Sequence, residues 1–181
     1  AGIESDLALG TRLRKTYASG LVAAAVTQNH LRGKAVAKFG DDAMRMYFTP
    51  DALEQSTRQR VATHRAQRLA SMGVESVVDR GCGSGGDLVA LARAGRNVRG
   101  VELDPVRAAI AGANLQALRL AGEVTCADVR EVAIRADEVA FIDPARRDGR
   151  GRTFSTADLQ PPWDWFRHHL QGRAVAKVMP G

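Results

Sequence analysis

The chain has 181 residues, enough for one α/β domain with a short appendage and for a sizeable buried core. Its 26 Lys and Arg outnumber 20 Asp and Glu for a net charge of +6, and residues 1–70 hold 11 basic against 6 acidic side chains, so the surplus sits at the front. That bias suits a polyanionic partner such as nucleic acid, and it equally suits a solvated helical face. No stretch approaches the roughly 18 apolar residues of a membrane span, and none reads as a signal peptide. Cys82 and Cys126 lack the spacing of a metal site or a disulfide framework, so reduced thiols in a cytoplasmic protein are expected.

From Leu7 to Lys38 apolar positions recur at helical spacing, as in Leu21, Val22, Ala25 and Val26, which predicts two or three short helices. Phe39-Gly40-Asp41-Asp42 reads as a turn, and Thr49-Pro50-Asp51 as the start of a helix over Ala52 to Ala70. After Gly73 short apolar runs alternate with helical stretches, the βαβ signature of a parallel sheet. The predicted strands are Ser76–Asp79, Val98–Glu102, Glu123–Cys126, Val139–Asp143 and Ala174–Val178, with helices over Asp87–Ala94, Pro105–Leu120 and about Ala157–Leu170. The chain stops at Met179-Pro180-Gly181 as the fifth strand closes, so C-terminal strands of the sheet are expected to be missing.

The most informative segment is VVDRGCGSGGD, Val77 to Asp87, which follows one strand and opens a helix. Gly81, Gly83, Gly85 and Gly86 allow a sharp turn and close approach of the backbone to a ligand, with Cys82 carried between them. Gly81, Gly83 and Gly86 also fit the G-x-G-x-x-G spacing of dinucleotide sites, with Glu102 about 20 residues on. Charge argues against that reading. Asp79 at the strand tip and Asp87 at the helix start would repel a pyrophosphate, whereas S-adenosylmethionine has no phosphate and carries an ammonium and a sulfonium.

Three further positions support a cofactor site. Glu102 in GVELDP ends the second strand, followed by Leu103, and a carboxylate there can accept from both ribose hydroxyls. Asp104-Pro105 next to it reads as a helix cap. Asp128, followed by Val129, lies just past the third strand, where an acid can accept from an adenine amino group or simply cap a loop. Asp143-Pro144 ends the fourth strand on the carboxyl edge of the sheet, where ligands of open α/β folds bind.

The ordered set VVDRGCGSGG, GVELDP, CADV and FIDPARR makes residues 73–178 resemble a class I S-adenosylmethionine-dependent methyltransferase. The resemblance implies a Rossmann-like α/β fold with S-adenosylmethionine as cofactor; no metal-ligand cluster is present in the sequence, and charge and pattern divide the chain into a basic helical N-terminal segment, 1–70, and a catalytic domain, 71–181. The glycine loop and GVELDPVRAAIAGAN are similar to the trimethylguanosine synthase group. The whole chain, including KAVAKFGDDAMRMYFTPDALEQSTRQRVATHRAQRL, resembles bacterial methyltransferases that carry a THUMP-like domain after the catalytic core. Arg80 departs from the apolar residue usual after the strand-end aspartate, and the sequence assigns it no role.

Methyl transfer from a sulfonium is an in-line displacement, so the protein must mainly hold nucleophile and methyl in near-attack geometry. In amino-directed methyltransferases an Asp or Asn before Pro-Pro and an aromatic ring accepts the amine hydrogens. Asp143 and Pro144 could fill the catalytic role here, but Ala145 replaces the second proline and Arg146 the ring. Arg146, Arg147, Arg150 and Arg152 form a basic loop suited to a phosphate-bearing substrate, with Arg146 and Arg147 as substrate-binding candidates. Phe154, Trp163 and Trp165 are either stacking rings or helix packing. The DPAR string also occurs in 5-methyluridine RNA methyltransferases, but the cysteine they use after the fifth strand is absent from Val175 to Pro180. His30, His64, His168 and His169 fall outside every motif. Three functions fit: methylation of an RNA base, methylation of a small molecule, or cofactor binding without turnover.

Overall fold

The computed structural model describes residues 6–143, 147–148, 151–152, 164–165 and 173–177. In chain order its strands are β1 (Ser76–Arg80), β2 (Asn97–Glu102), β3 (Glu123–Cys126), β4 (Glu138–Ile142), β5 (Arg147–Asp148), β6 (Gly151–Arg152) and β7 (Ala174–Ala176). All pairings of the main sheet are parallel, in the order β3-β2-β1-β4-β7, while β5 and β6 form a separate antiparallel hairpin. This is a Rossmann-like open α/β sheet whose strand order reverses at β1, placing a switch point between β1 and β4. β1 and β4 are buried along their whole length, as central parallel strands covered on both faces must be. All five predicted strands appear, with ends shifted by a residue or two and Val178 outside the described residues.

The helices are α1 (Asp6–Leu13), α2 (Ser19–Phe39), α3 (Pro50–Gln55), α4 (Gln59–Ser71), α5 (Gly86–Arg93) and α6 (Pro105–Ala117), with a 3-10 turn over Gly40–Met44. Two expectations need correction. The N-terminal stretch holds one short helix and one of 21 residues, because Leu31, Ala35 and Phe39 bury a single stripe that carries α2 through Gly33. That packing outweighs the roughly 1 kcal/mol a helical glycine costs. The helix expected over 52–70 is broken at Ser56-Thr57-Arg58 into α3 and α4. Lys38 Nζ, reaching over from α2, donates to the carbonyls of Leu53, Glu54 and Ser56 at 2.7, 2.7 and 3.0 Å and ends α3 there. The helix expected over 157–170 lies outside the described residues apart from Asp164 and Trp165, which are helical.

Two cores flank the sheet. On one face Phe39, Met46 and Phe48 from the N-terminal segment pack with Val77, Leu88, Leu91 and Phe141. The rings of Phe39 and Phe48 sit 5.3 Å apart at a tilt of 39°. The N-terminal segment is therefore built into the same core as the sheet. On the other face Val78, Val101, Val129, Ala140 and Ile142 form a smaller core. Parallel strands are usually joined by a crossover helix, yet residues 127–137 between β3 and β4 form turns and irregular backbone and no helix.

Candidate cofactor and catalytic site

The glycine loop runs from the carboxyl end of β1 to the start of α5. The N–H groups of Gly81 and Cys82 donate to the Val101 carbonyl at 2.8 and 3.1 Å, which ties the loop to β2. Gly81, Gly83 and Gly85 all have positive φ, the left-handed region that side chains disfavour. At Gly85 a Cβ would also lie 3.2 Å from the Cβ of Ala111 and 3.3 Å from its Cα, so glycine is what lets α6 approach. Glu102 is 7% exposed, and its two carboxylate oxygens accept the N–H groups of Gly83 at 2.9 Å and Asp104 at 3.0 Å. Leu103 beside it is exposed. Burial, with Asp79 and Glu102 nearby, pushes the Cys82 thiol far above its ordinary pKa, so it is an inert packing group.

Acids converge on the same edge. Asp79 is fully enclosed, and burial, followed by repulsion from Asp87 and Asp143, raises its pKa well above 3.8 against the pull of Arg65. Asp87 in the first turn of α5 is raised too, by burial, and Arg65 of α4 offsets this with an ion pair of 2.7 Å. The Arg65 guanidinium lies 5.0 Å from the Phe141 ring centre on β4. Asp143, just past β4, is paired with Lys177 Nζ, which also donates to Thr57 Oγ1 at 3.3 Å. Thr57 also lies beside Asp87 and draws its pKa down. Four carboxylates, of Asp79, Asp87, Glu102 and Asp143, thus face two cations, Arg65 and Lys177.

Asp79, Gly81, Cys82, Gly83, Gly85, Asp87, Glu102 and Asp143 therefore share one edge of the sheet, with Asp128 and Val129 on its β3 side. The Asp128 carboxylate is held by the N–H of Arg130 at 2.8 Å and by its guanidinium, which lower its pKa. Val129 turns its side chain into the smaller core and offers only main-chain groups to a ligand. Pro144 and Arg146 lie outside the described residues, as does the side chain of Arg147 in β5. The Trp165 ring packs 4.9 Å from the Arg80 guanidinium carbon and against the smaller core, the packing alternative for that residue. Phe154, Trp163, His168 and His169 are outside the described residues. His30 faces Asp6 at 3.4 Å, and His64 is exposed on α4. Among the described residues no His, Cys, Asp and Glu cluster has the geometry of a metal site, and no helix is long and apolar enough to cross a membrane.

Sequence reasoning missed Thr57, Arg65, Lys177 and Asn114. The first three gain meaning only from partners 22 to 120 residues away. Asn114, with no exposed surface, accepts the Tyr47 N–H at 2.7 Å and donates to the carbonyls of Tyr47 at 3.1 Å and Ser84 at 2.9 Å. It staples the N-terminal segment to the glycine loop.

Two proteins from strains of Mycobacterium tuberculosis, each named an uncharacterized S-adenosylmethionine-dependent methyltransferase, are 39% identical over 157 residues, covering 83% of this chain. Over that stretch the chain is similar to proteins named S-adenosylmethionine-dependent methyltransferases. It spans 43% of the length of those relatives. A crystal structure from Porphyromonas gingivalis, provisionally assigned as a methyltransferase, superposes with a TM-score of 0.68 at 22% identity. That match covers 91% of this chain and 43% of the other, so the shared fold includes N-terminal helices as well as the sheet. A family described as a domain of unknown function, DUF8688, matches residues 2–35. The site fits the methyltransferase cofactor: its excess of carboxylates over cations favours an ammonium and a sulfonium and disfavours a pyrophosphate.

Proposed function

We propose that the protein containing this chain transfers a methyl group to a base of RNA by direct displacement. The observation that carries the reading is Asp143 at the switch point, with the cofactor-side acids Asp79, Asp87 and Glu102 on the same edge. S-adenosylmethionine, when bound, supplies the electrophilic methyl. Glu102 would hold the ribose hydroxyls, Asp128 and the Val129 main chain the adenine, and Asp79 and Asp87 the cationic end. Asp143, with Pro144 fixing the chain after it, would accept a hydrogen from the target group and leave its lone pair aimed at the methyl. On this reading residues 71–181 bind the cofactor, while Thr57 and Arg65 bring residues 1–70 to the same edge.

RNA is favoured by the charge that remains after internal bonding. Of the 11 basic residues in 1–70, Arg32, Lys38, Arg45 and Arg65 bond within the fold. Arg14, Lys15, Lys34, Arg58, Arg60 and Arg68 are exposed. Such residues are available to phosphates, beside the Arg146 and Arg147 segment. The resemblance to proteins with a THUMP-like domain would place a further RNA-binding module outside this chain, in a cytoplasmic enzyme. The test is transfer of tritiated methyl to RNA pools by the full-length protein and by Asp143→Ala. Transfer lost in the variant with cofactor binding retained supports the reading. Transfer only to small molecules, with RNA binding that is weak and insensitive to salt, would replace RNA with a small-molecule substrate, and cofactor binding without any transfer would mean a non-catalytic module.

A further inference from the structure

Arg80 sits on β1 directly after Asp79, yet it faces the opposite side of the sheet and is 4% exposed. Its Nη2 donates to the carbonyl of Val129 and to that of Val132 at 3.3 Å. Arg99 on β2, paired in register with Val78 of β1, is 8% exposed on that same face and donates from Nη2 to the Ala133 carbonyl at 2.9 Å. Glu138 neutralises Arg99 through contacts of 2.7 and 2.5 Å. Among the described residues no carboxylate pairs with Arg80, whose Nε has no acceptor. A buried, uncompensated guanidinium is costly, so its retention asks what it satisfies.

The answer lies in the crossover from β3 to β4. A crossover helix would satisfy its own carbonyls, but residues 127–137 are turns and irregular backbone, so the buried carbonyl of Val129 and the part-buried ones of Val132 and Ala133 need other donors. The two arginines supply them to three residues, Val129, Val132 and Ala133. The first of these follows Asp128, the acid on the β3 side of the cofactor edge. We infer that Arg80 is a positioning residue for cofactor binding: assisted by Arg99, it clamps the helix-less β3–β4 crossover and thereby fixes Asp128 and Val129 at the adenine side of the site. Trp165 lies over the guanidinium and completes its burial. This inference rests on the cofactor-site reading and is independent of the methyl acceptor.

The test uses the full-length protein with S-adenosylhomocysteine as probe, in Arg80→Met, Arg80→Lys, Asp128→Ala and the Arg80→Met/Asp128→Ala double variant. Arg80→Met is expected to raise the Kd at least tenfold. Arg80→Lys, which keeps the charge and one donor, recovers part of that loss and serves if Arg80→Met fails to fold. In the double variant the losses are less than additive, because Asp128 is already misplaced. Amide hydrogen exchange of residues 127–133, read without ligand, should accelerate in Arg80→Met and Arg80→Lys while that of β1 and β4 stays slow. Unchanged exchange there, an unchanged Kd in folded variants, or full additivity overturns the inference. Failure of the parent protein to bind the probe would instead overturn the cofactor site, and the exchange measurement would still decide the clamp.

Discussion

Replacing Asn114 with Ala removes the side chain that joins three main-chain groups lying 30 and 67 residues from it in sequence. Each hydrogen bond contributes on the order of 1 kcal/mol, and the orphaned Tyr47 N–H and the two carbonyls stay in a part-buried environment, so the loss is about 3 kcal/mol. At roughly 2–4 °C per kcal/mol for a chain of this size, the melting temperature should fall by about 6–12 °C. Because the Ser84 carbonyl belongs to the glycine loop, affinity for S-adenosylhomocysteine should weaken as well, by about three- to tenfold. Asn114→Asp is the informative control: it keeps the acceptor for Tyr47 but aims a carboxylate at two carbonyls, and should be at least as destabilising. The assay is calorimetric melting of the variants with and without the probe. A shift of less than about 2 °C in Asn114→Ala would refute the staple, since even one net bond should exceed that.

The same reasoning sets three other outcomes. Asp79 binds a proton more tightly folded than unfolded, so its contribution to stability is present below the ordinary carboxylate value of 3.8 and lost as pH rises through the raised folded pKa. Urea unfolding across that window should show stability falling with pH, with a shallower slope in Asp79→Asn. Cofactor binding at pH values where Asp79 holds its proton should release protons, measurable as a dependence of binding heat on the buffer's ionisation enthalpy. Gly85→Ala, at positive φ and against Ala111, should lose about 2–4 kcal/mol in chemical denaturation. Finally, the proposal that RNA is the substrate predicts that Arg58→Glu with Arg60→Glu weakens RNA binding across sequences and flattens its salt dependence, while leaving S-adenosylhomocysteine affinity unchanged.

The central strands were legible because β1 and β4 are short runs buried on both faces, whereas β3 is largely exposed and was placed by its position after α6. Asp79, Glu102 and Asp143 could be placed together because strand ends in a parallel sheet share one edge. The break at Ser56-Thr57-Arg58 was not legible, since the stop is imposed by Lys38 of another helix rather than by a local signal. Arg65 and Lys177 read as ordinary surface charges until folding sets them against Asp87 and Asp143. Arg80 looked anomalous in sequence because its acceptors are carbonyls about 50 residues away, exposed by a crossover whose missing helix no local pattern announces.

The most direct test of the cofactor site is calorimetric titration of S-adenosylmethionine and S-adenosylhomocysteine into the full-length protein, with Asp79→Ala and Glu102→Ala alongside. Micromolar binding that both substitutions abolish in folded protein is the predicted result. Binding untouched by either substitution, or no binding by the parent protein, would contradict the assignment of this edge as the cofactor site.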